Sequence, residues 1–207
     1  RFLRRGVTTV EIKSGYGLDT ATELKILATA ATLRRAHPVT VVATFLGAHA
    51  VPPGFANRRQ AYVDLVIDKM IPRVAALKLA RFVDVFCDET AFTVDEARRV
   101  LRAGMRHGLR PKVHADQFTS CGGAELAAEV GAISADHLER VSAAGIEQLG
   151  EAGVVAVLLP TAALFIGLWI VMMVAIMFPT AAPMILMFAR VHNGKKARGD
   201  NFVPTWI

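Results

Sequence analysis

Cysteine is scarce in this sequence. There are two, Cys87 and Cys121, and no Cys-x-x-Cys. That excludes a disulfide framework and a zinc knuckle and leaves two free thiols, the ordinary state in a reducing compartment. No Gly-x-Gly-x-x-Gly follows the first strand-like run, and no Gly-x-x-x-x-Gly-Lys-Ser/Thr occurs, so the usual nucleotide-cradling loops are missing. The chain opens on Arg1, and no apolar stretch follows its first arginines. A secretory signal is therefore not expected, and the N-terminus reads as a cut end. No block of one charge sign exists either. Lys and Arg outnumber Asp and Glu by 24 to 18, but they are dispersed through helical stretches that also carry acids. This is the pattern of a solvated outer face, and no nucleic-acid partner is expected.

The largest gap is in charge along the chain. Between Glu151 and Arg190 there is no Asp, Glu, Lys or Arg, and five of the seven methionines fall between Met172 and Met187. Residues 164–189 are long enough to cross a bilayer, for which about 20 apolar residues suffice. Trp169 lies near one end, and Arg190, Lys195, Lys196 and Arg198 follow the other. Membrane contact through 164–189 is expected, with a buried core helix as the alternative. The trailing cations would put the C-terminus in the cytoplasm and residues 1–160 outside, which suits a thiol-bearing enzyme body poorly. The sequence thus divides into residues 1–160 and an apolar helical tail, 161–207, of apparently different origin, expected to be joined by a fusion, a frameshift or a mis-assembled reading frame.

The first part alternates short apolar runs with amphipathic stretches. Strands are predicted over 8–14, 40–46, 82–87, 111–116, 133–138 and 154–159. Between them, helices are predicted from Asp19 to His37, over 58–79, from Thr93 or Asp95 to His107, over 122–130 and over 142–151. Asp19 and Glu23 have the spacing of a capping box. Strand–helix alternation with short loops means a parallel sheet covered by helices, whose strands should be near-continuous apolar runs.

Polar side chains collect where these strands end: Glu11, Lys13 and Tyr16; His49; Asp88 and Glu89; His114, Asp116 and Gln117; Asp136 and His137. His49, His114 and His137 recur in phase with the strand repeat, whereas His37 and His107 look like surface residues. Any one strand-end histidine has a structural explanation as a buried ring bonded to a carbonyl. Three in phase suggest imidazole ligands or acid–base groups at one mouth, since neutral imidazole is the commonest transition-metal ligand. His114, inside its strand, is the first candidate ligand. His137 is either a second ligand or the group beside an attacking water.

Five phrases carry a resemblance: Thr-Val-Glu-Ile-Lys-Ser-Gly-Tyr-Gly-Leu (9–18), Thr-Phe-Leu-Gly-Ala-His-Ala-Val-Pro-Pro (44–53), Val-Asp-Val-Phe-Cys-Asp (83–88), Lys-Val-His-Ala-Asp-Gln (112–117) and Ser-Ala-Asp-His-Leu-Glu (134–139). In this order they resemble the imidazolonepropionases of the amidohydrolase superfamily, over about residues 8–160. The resemblance implies an incomplete TIM-type (β/α)₈ barrel of about six strands. It implies a cytoplasmic enzyme with one zinc or iron ion that hydrolyses the cyclic amide C–N bond of 4-imidazolone-5-propanoate to N-formimino-glutamate. By position, His114 resembles a metal ligand, Tyr16, His49 and Gln117 resemble substrate contacts, and His137 resembles the catalytic residue beside the metal-bound water. A homodimer of the family kind is left open.

The family's His-x-His pair and its metal-binding Asp have no counterpart here, and 207 residues fall short of the roughly 250 of a whole barrel. Negligible metal affinity and no turnover are therefore expected of the chain alone. Residues 165–207 resemble a family of predicted metal-binding integral membrane proteins. Their methionines read first as packing and second as soft-metal ligands. Two alternatives stand beside the hydrolase fragment: a membrane-protein fragment fused to a non-catalytic partial barrel, and a binding module.

Overall fold

The computed structural model describes residues 2–158, 166–172 and 186–187. The chain forms two compact units, Arg1–Leu159 and Pro160–Ile207. In the second, residues 166–172 and 186–187 are helical. Among the described residues no helix is long and apolar enough to cross a membrane. Most of the apolar span 164–189 lies outside the described residues.

The first unit holds six parallel strands in sequential order: β1 (Thr9–Lys13), β2 (Thr40–Ala48), β3 (Phe82–Cys87), β4 (Arg110–Ala115), β5 (Ser134–His137) and β6 (Val155–Val157). The helices are α1 (Thr20–Ala36), α2 (Arg59–Leu65), α3 (Ile71–Ala76), α4 (Val94–Arg106), α5 (Gly123–Glu129) and α6 (Ala143–Glu151). The stretch expected as one helix over 58–79 is broken by a π-helical turn, Val66–Met70, ahead of Pro72. A proline ring has no N–H and clashes with the carbonyl four residues back, so the regular ladder cannot run through. α4 carries a full capping box between Thr93 and Glu96. At α1, by contrast, Asp19 caps Thr22, but Glu23 leaves the box and turns inward, fully buried. It accepts from the amides of Gly15, Gly17 and Leu18 and so clamps the loop after β1.

The core lies between one face of the sheet and the helices. Val83, Val85, Cys87, Val113, Ala115 and Ala135 are fully buried together with Val66, Met70, Val74, Val100 and Leu101. Gly104 of α4 approaches Val83 so closely that a Cβ there would lie 2.4 Å from the valine side chain.

The other face is polar, unlike the continuous apolar runs expected. Alternate residues put Glu11, Lys13, Thr44, Asp84, Lys112, His114 and Asp136 on it, and they bond one another across non-adjacent strands. Lys112 of β4 donates to Glu11 of β1 at 2.7 Å. Lys13 of β1 donates to Asp84 of β3 at 2.9 Å and to Asp136 of β5. In a flat sheet β1 and β5 would stand about 19 Å apart, four spacings of about 4.8 Å, farther than lysine and aspartate side chains reach. The sheet is therefore curled into a half-barrel with this face inside. Contact between the first strand and the fifth is the curvature of a barrel with about eight strands per turn. β6 is exposed along its whole length.

Candidate functional site

The C-terminal ends of β1 to β5 open onto one mouth. Gly15 closes β1 with φ +108, and a Cβ there would lie 2.6 Å from the Leu46 carbonyl oxygen, so only glycine fits. This close approach puts the Gly15 carbonyl within 3.1 Å of His49 Nδ1, which donates to it and leaves Nε2 as the free acceptor. His49 follows β2 immediately after a register shift between Phe45 and Ala48. Such bulges re-aim side chains at barrel rims. Tyr16, 80% exposed, lays its ring edge-on to His49 with centroids 4.9 Å apart.

From His49 an arc of rings crosses the mouth. Phe86 of β3 lies 5.9 Å from His49 and 6.2 Å from His114, and His114 lies 5.4 Å from His137. Phe118, 58% exposed, flanks Phe86 at 6.3 Å. Four of the five expected site residues, Tyr16, His49, His114 and His137, are thus linked through Phe86. Gln117 sits at the head of the loop after β4, partly exposed, and no hydrogen bond among the described residues ties it to the other four.

His137 and Leu138 both take positive φ, 81 and 67 degrees. Two consecutive non-glycine residues there cost on the order of 1–3 kcal/mol each. Bonds from Leu138 N to the Ala115 carbonyl and from Arg140 N to the Asp116 carbonyl hold the turn. The strain sits beside an orphan: His137 Nδ1 is buried with no hydrogen-bond partner among the described residues. Glu139 Oε1, at 3.6 Å, is too far to count as one.

Beneath His114 lies the cluster that sequence reasoning left unconnected. Asp84 is fully buried and accepts from His114 Nδ1 at 3.1 Å, from Lys13 Nζ at 2.9 Å and from the Val85 amide at 2.8 Å. Burial disfavours its charge, but His114 and Lys13 outweigh burial and bring its pKa down to about 2. Burial likewise opposes the Lys13 ammonium, and Asp84 and Asp136 overcome it, raising Lys13 above an ordinary lysine. The signal in the sequence was Asp84 itself, a lone carboxylate in Phe-Val-Asp-Val-Phe on the face of the two phenylalanines.

Asp88 and Asp116, two of the strand-end carboxylates, serve the backbone. Asp88 accepts from the amides of Phe118 and Thr119, and Asp116 from those of Cys121, Gly123 and Ala124. Burial, with Cys121, Asp116 and Asp88 nearby, pushes the Cys87 thiol well above the usual range.

Among the described residues, Asp84, His114 and Asp136 bring ligand-type atoms within 4.8 Å of one another, close enough to hold a metal ion. The Lys13 ammonium already lies between the two carboxylates, and Asp84 uses His114 Nδ1. Among the described residues no hydrogen bond engages His114 Nε2, which is the one ligand-type atom of this cluster not already bonded to a neighbour. Imidazole donors suit zinc and iron alike.

The chain is 58% identical over 166 residues to the imidazolonepropionase of Shouchella clausii, covering 80% of this chain and 37% of that protein. It is 58% identical over 166 residues to the imidazolonepropionase of Brevibacillus brevis, covering 80% and 39%, and 55% identical over 166 residues to that of Myxococcus xanthus, covering 80% and 39%. The chain spans about two fifths of the length of these curated relatives. A crystal structure of an amidohydrolase, 16% identical, superposes with a TM-score of 0.50 over 77% of this chain and 44% of that one, a likeness of fold alone. Residues 166–205 match the family described as PpoB2: Copper chaperone.

Proposed function

We propose that the half-barrel is part of a metal-dependent amidohydrolase that opens 4-imidazolone-5-propanoate at its cyclic amide C–N bond to give N-formimino-glutamate. The observation that carries this reading is the ring arc Tyr16–His49–Phe86–His114–His137 across one mouth, in a chain 58% identical to imidazolonepropionases. His114 would hold a zinc or iron ion through Nε2. Such an ion polarises an amide carbonyl and lowers the pKa of a bound water to about 7. His137 lies beside His114 and supplies the acid–base group, its buried Nδ1 free to take or hold a proton. His49 offers Nε2 as an acceptor for a ring N–H of the substrate, while the exposed hydroxyl of Tyr16 and the amide of Gln117 suit its carboxylate. The flat imidazolone ring matches a mouth lined by Phe86 and Phe118.

One imidazole free for a metal is fewer than the three protein ligands a hydrolytic site uses. The chain by itself is therefore proposed to bind no stoichiometric metal and to turn over no substrate. Transplanting residues 8–158 into the Shouchella clausii relative in place of the matching stretch tests the assignment. Hydrolysis by the hybrid, lost with His114→Ala, is the expected result. A folded hybrid with no hydrolysis would overturn it.

For residues 161–207 we propose a separate origin and membrane contact through 164–189. The support is the absence of charged residues from 152 to 189 and the match of 166–205 to a family other than the one that the rest resembles. Partition of the purified chain into detergent or vesicles, abolished by deleting 164–189, is expected. A full-length chain that stays monodisperse without either would contradict it.

A further inference from the structure

Asp84 lies mid-strand in β3, and both of its carboxylate oxygens are engaged. Oδ1 accepts from the Val85 amide and from His114 Nδ1, and Oδ2 accepts from Lys13 Nζ. Lys13 is held in turn by Asp136, whose other oxygen accepts from Ser134 Oγ at 2.9 Å. Four strands thus contribute to fixing one carboxylate. Folding alone does not call for this, because well-packed apolar residues serve as well as a buried ion cluster or better. What the cluster achieves locally is a defined partner for one nitrogen of His114. A neutral imidazole carries its proton on either nitrogen, and the hydrogen bond made by one nitrogen decides which remains a donor lone pair.

We propose that Asp84, itself held by Lys13, is the positioning residue of His114. It keeps the neutral ring protonated on Nδ1 and fixed in rotation, so that Nε2 is the lone pair left for a ligand. Carboxylate–histidine pairs of this kind orient metal-binding imidazoles and raise their basicity. The use of Nε2 toward a metal rests on the hydrolase reading, but the tautomer itself does not. The cation observed between Asp84 and Asp136 is the Lys13 ammonium, so a metal held by His114 would be held through Nε2.

The test is nitrogen-15 NMR of the full chain labelled at histidine, in alkaline buffer, with the His114 signals identified by their loss in His114→Gln. Two-bond couplings report which nitrogen carries the proton. The expected result for the unmodified chain is a protonated Nδ1 and a pyridine-type Nε2 at His114. In Asp84→Asn the single tautomer is expected to be lost, the pyridine-type signal shifting toward the value averaged over both nitrogens, while the His37 and His107 signals stay in place. A His114 protonated on Nε2 in the unmodified chain, or an unchanged tautomer in a folded Asp84→Asn, would overturn the proposal. The unmodified chain decides the matter even if the variant does not fold. Hydrolysis by the hybrid enzyme is read separately, so an inactive hybrid with the expected tautomer sinks the hydrolase reading alone. An active hybrid with the wrong tautomer sinks the positioning role alone.

Discussion

Lys13 of the first strand donates to Asp136 of the fifth across the inside of the sheet. No flat sheet allows this bond, so the pair records the curl of the half-barrel. The same ammonium bonds Asp84, which holds His114. The ammonium that records the curl of the sheet is therefore two hydrogen bonds away, through Asp84, from the group proposed to bind the metal.

Removing that cation should be costly. Lys13→Met leaves two inward carboxylates, Asp84 and Asp136, without their shared partner. Breaking a buried pair from one side costs about 3–5 kcal/mol. Urea denaturation should show a loss of this size, and the triple variant that also makes Asp84 and Asp136 apolar should recover part of it.

The acid limb of the stability curve should carry the signature of Asp84. Its folded pKa, about 2, lies below the unfolded value of about 3.9, so its contribution is present above pH about 4 and is lost as pH falls through about 2. The size is roughly 2–3 kcal/mol. Lys13 is raised, so its contribution is present below the ordinary lysine pKa and lost only at higher pH. Thermal melts between pH about 2 and 7 should show the acid loss, and Asp84→Asn should flatten it.

Gly15→Ala tests the close approach of β1 to β2. The added methyl would meet the Leu46 carbonyl at 2.6 Å in a backbone conformation that favours glycine. A loss on the order of 2 kcal/mol or more is expected in thermal melts. The His49 Nδ1 bond to Gly15, visible in the histidine nitrogen spectrum, should weaken with it.

Glu23→Ala removes the acceptor for the amides of Gly15, Gly17 and Leu18. Hydrogen bonds to a charged group contribute about 1.5–3 kcal/mol, and the donors left behind are partly buried. Hydrogen exchange at those three amides should speed up well before global unfolding, and Tyr16, between them, should lose its fixed place against His49.

All six strands were legible in the sequence because runs such as Thr40–Leu46 and Phe82–Cys87 combine β-branched or aromatic residues with clear turn signals. Their ends shift by only one or two residues. The break at Val66–Met70 was not legible, since the apolar spacing of 58–79 continues through it and only Pro72 hinted otherwise. Glu23 had the spacing of a capping box, yet three nearby loop amides offered it better partners. The ring arc was half legible: the histidines recur with the strand repeat, but nothing in the spacing of the strand 82–87 singles out Phe86. The ion cluster was not legible, because Lys13, Asp84 and Asp136 are up to 123 residues apart and meet only once the sheet curls.

The central claim is that His114 and His137 serve one reacting centre. In the hybrid enzyme carrying residues 8–158, kcat/KM should be measured for His114→Ala, His137→Ala and the double variant. Groups that act as a unit are strongly non-additive. Each single change should therefore lower kcat/KM by about 10²-fold or more, as expected for lost acid–base or metal function, and the double should be little worse than the worse single. Full activity in either single variant, or losses that simply multiply in the double, would contradict it.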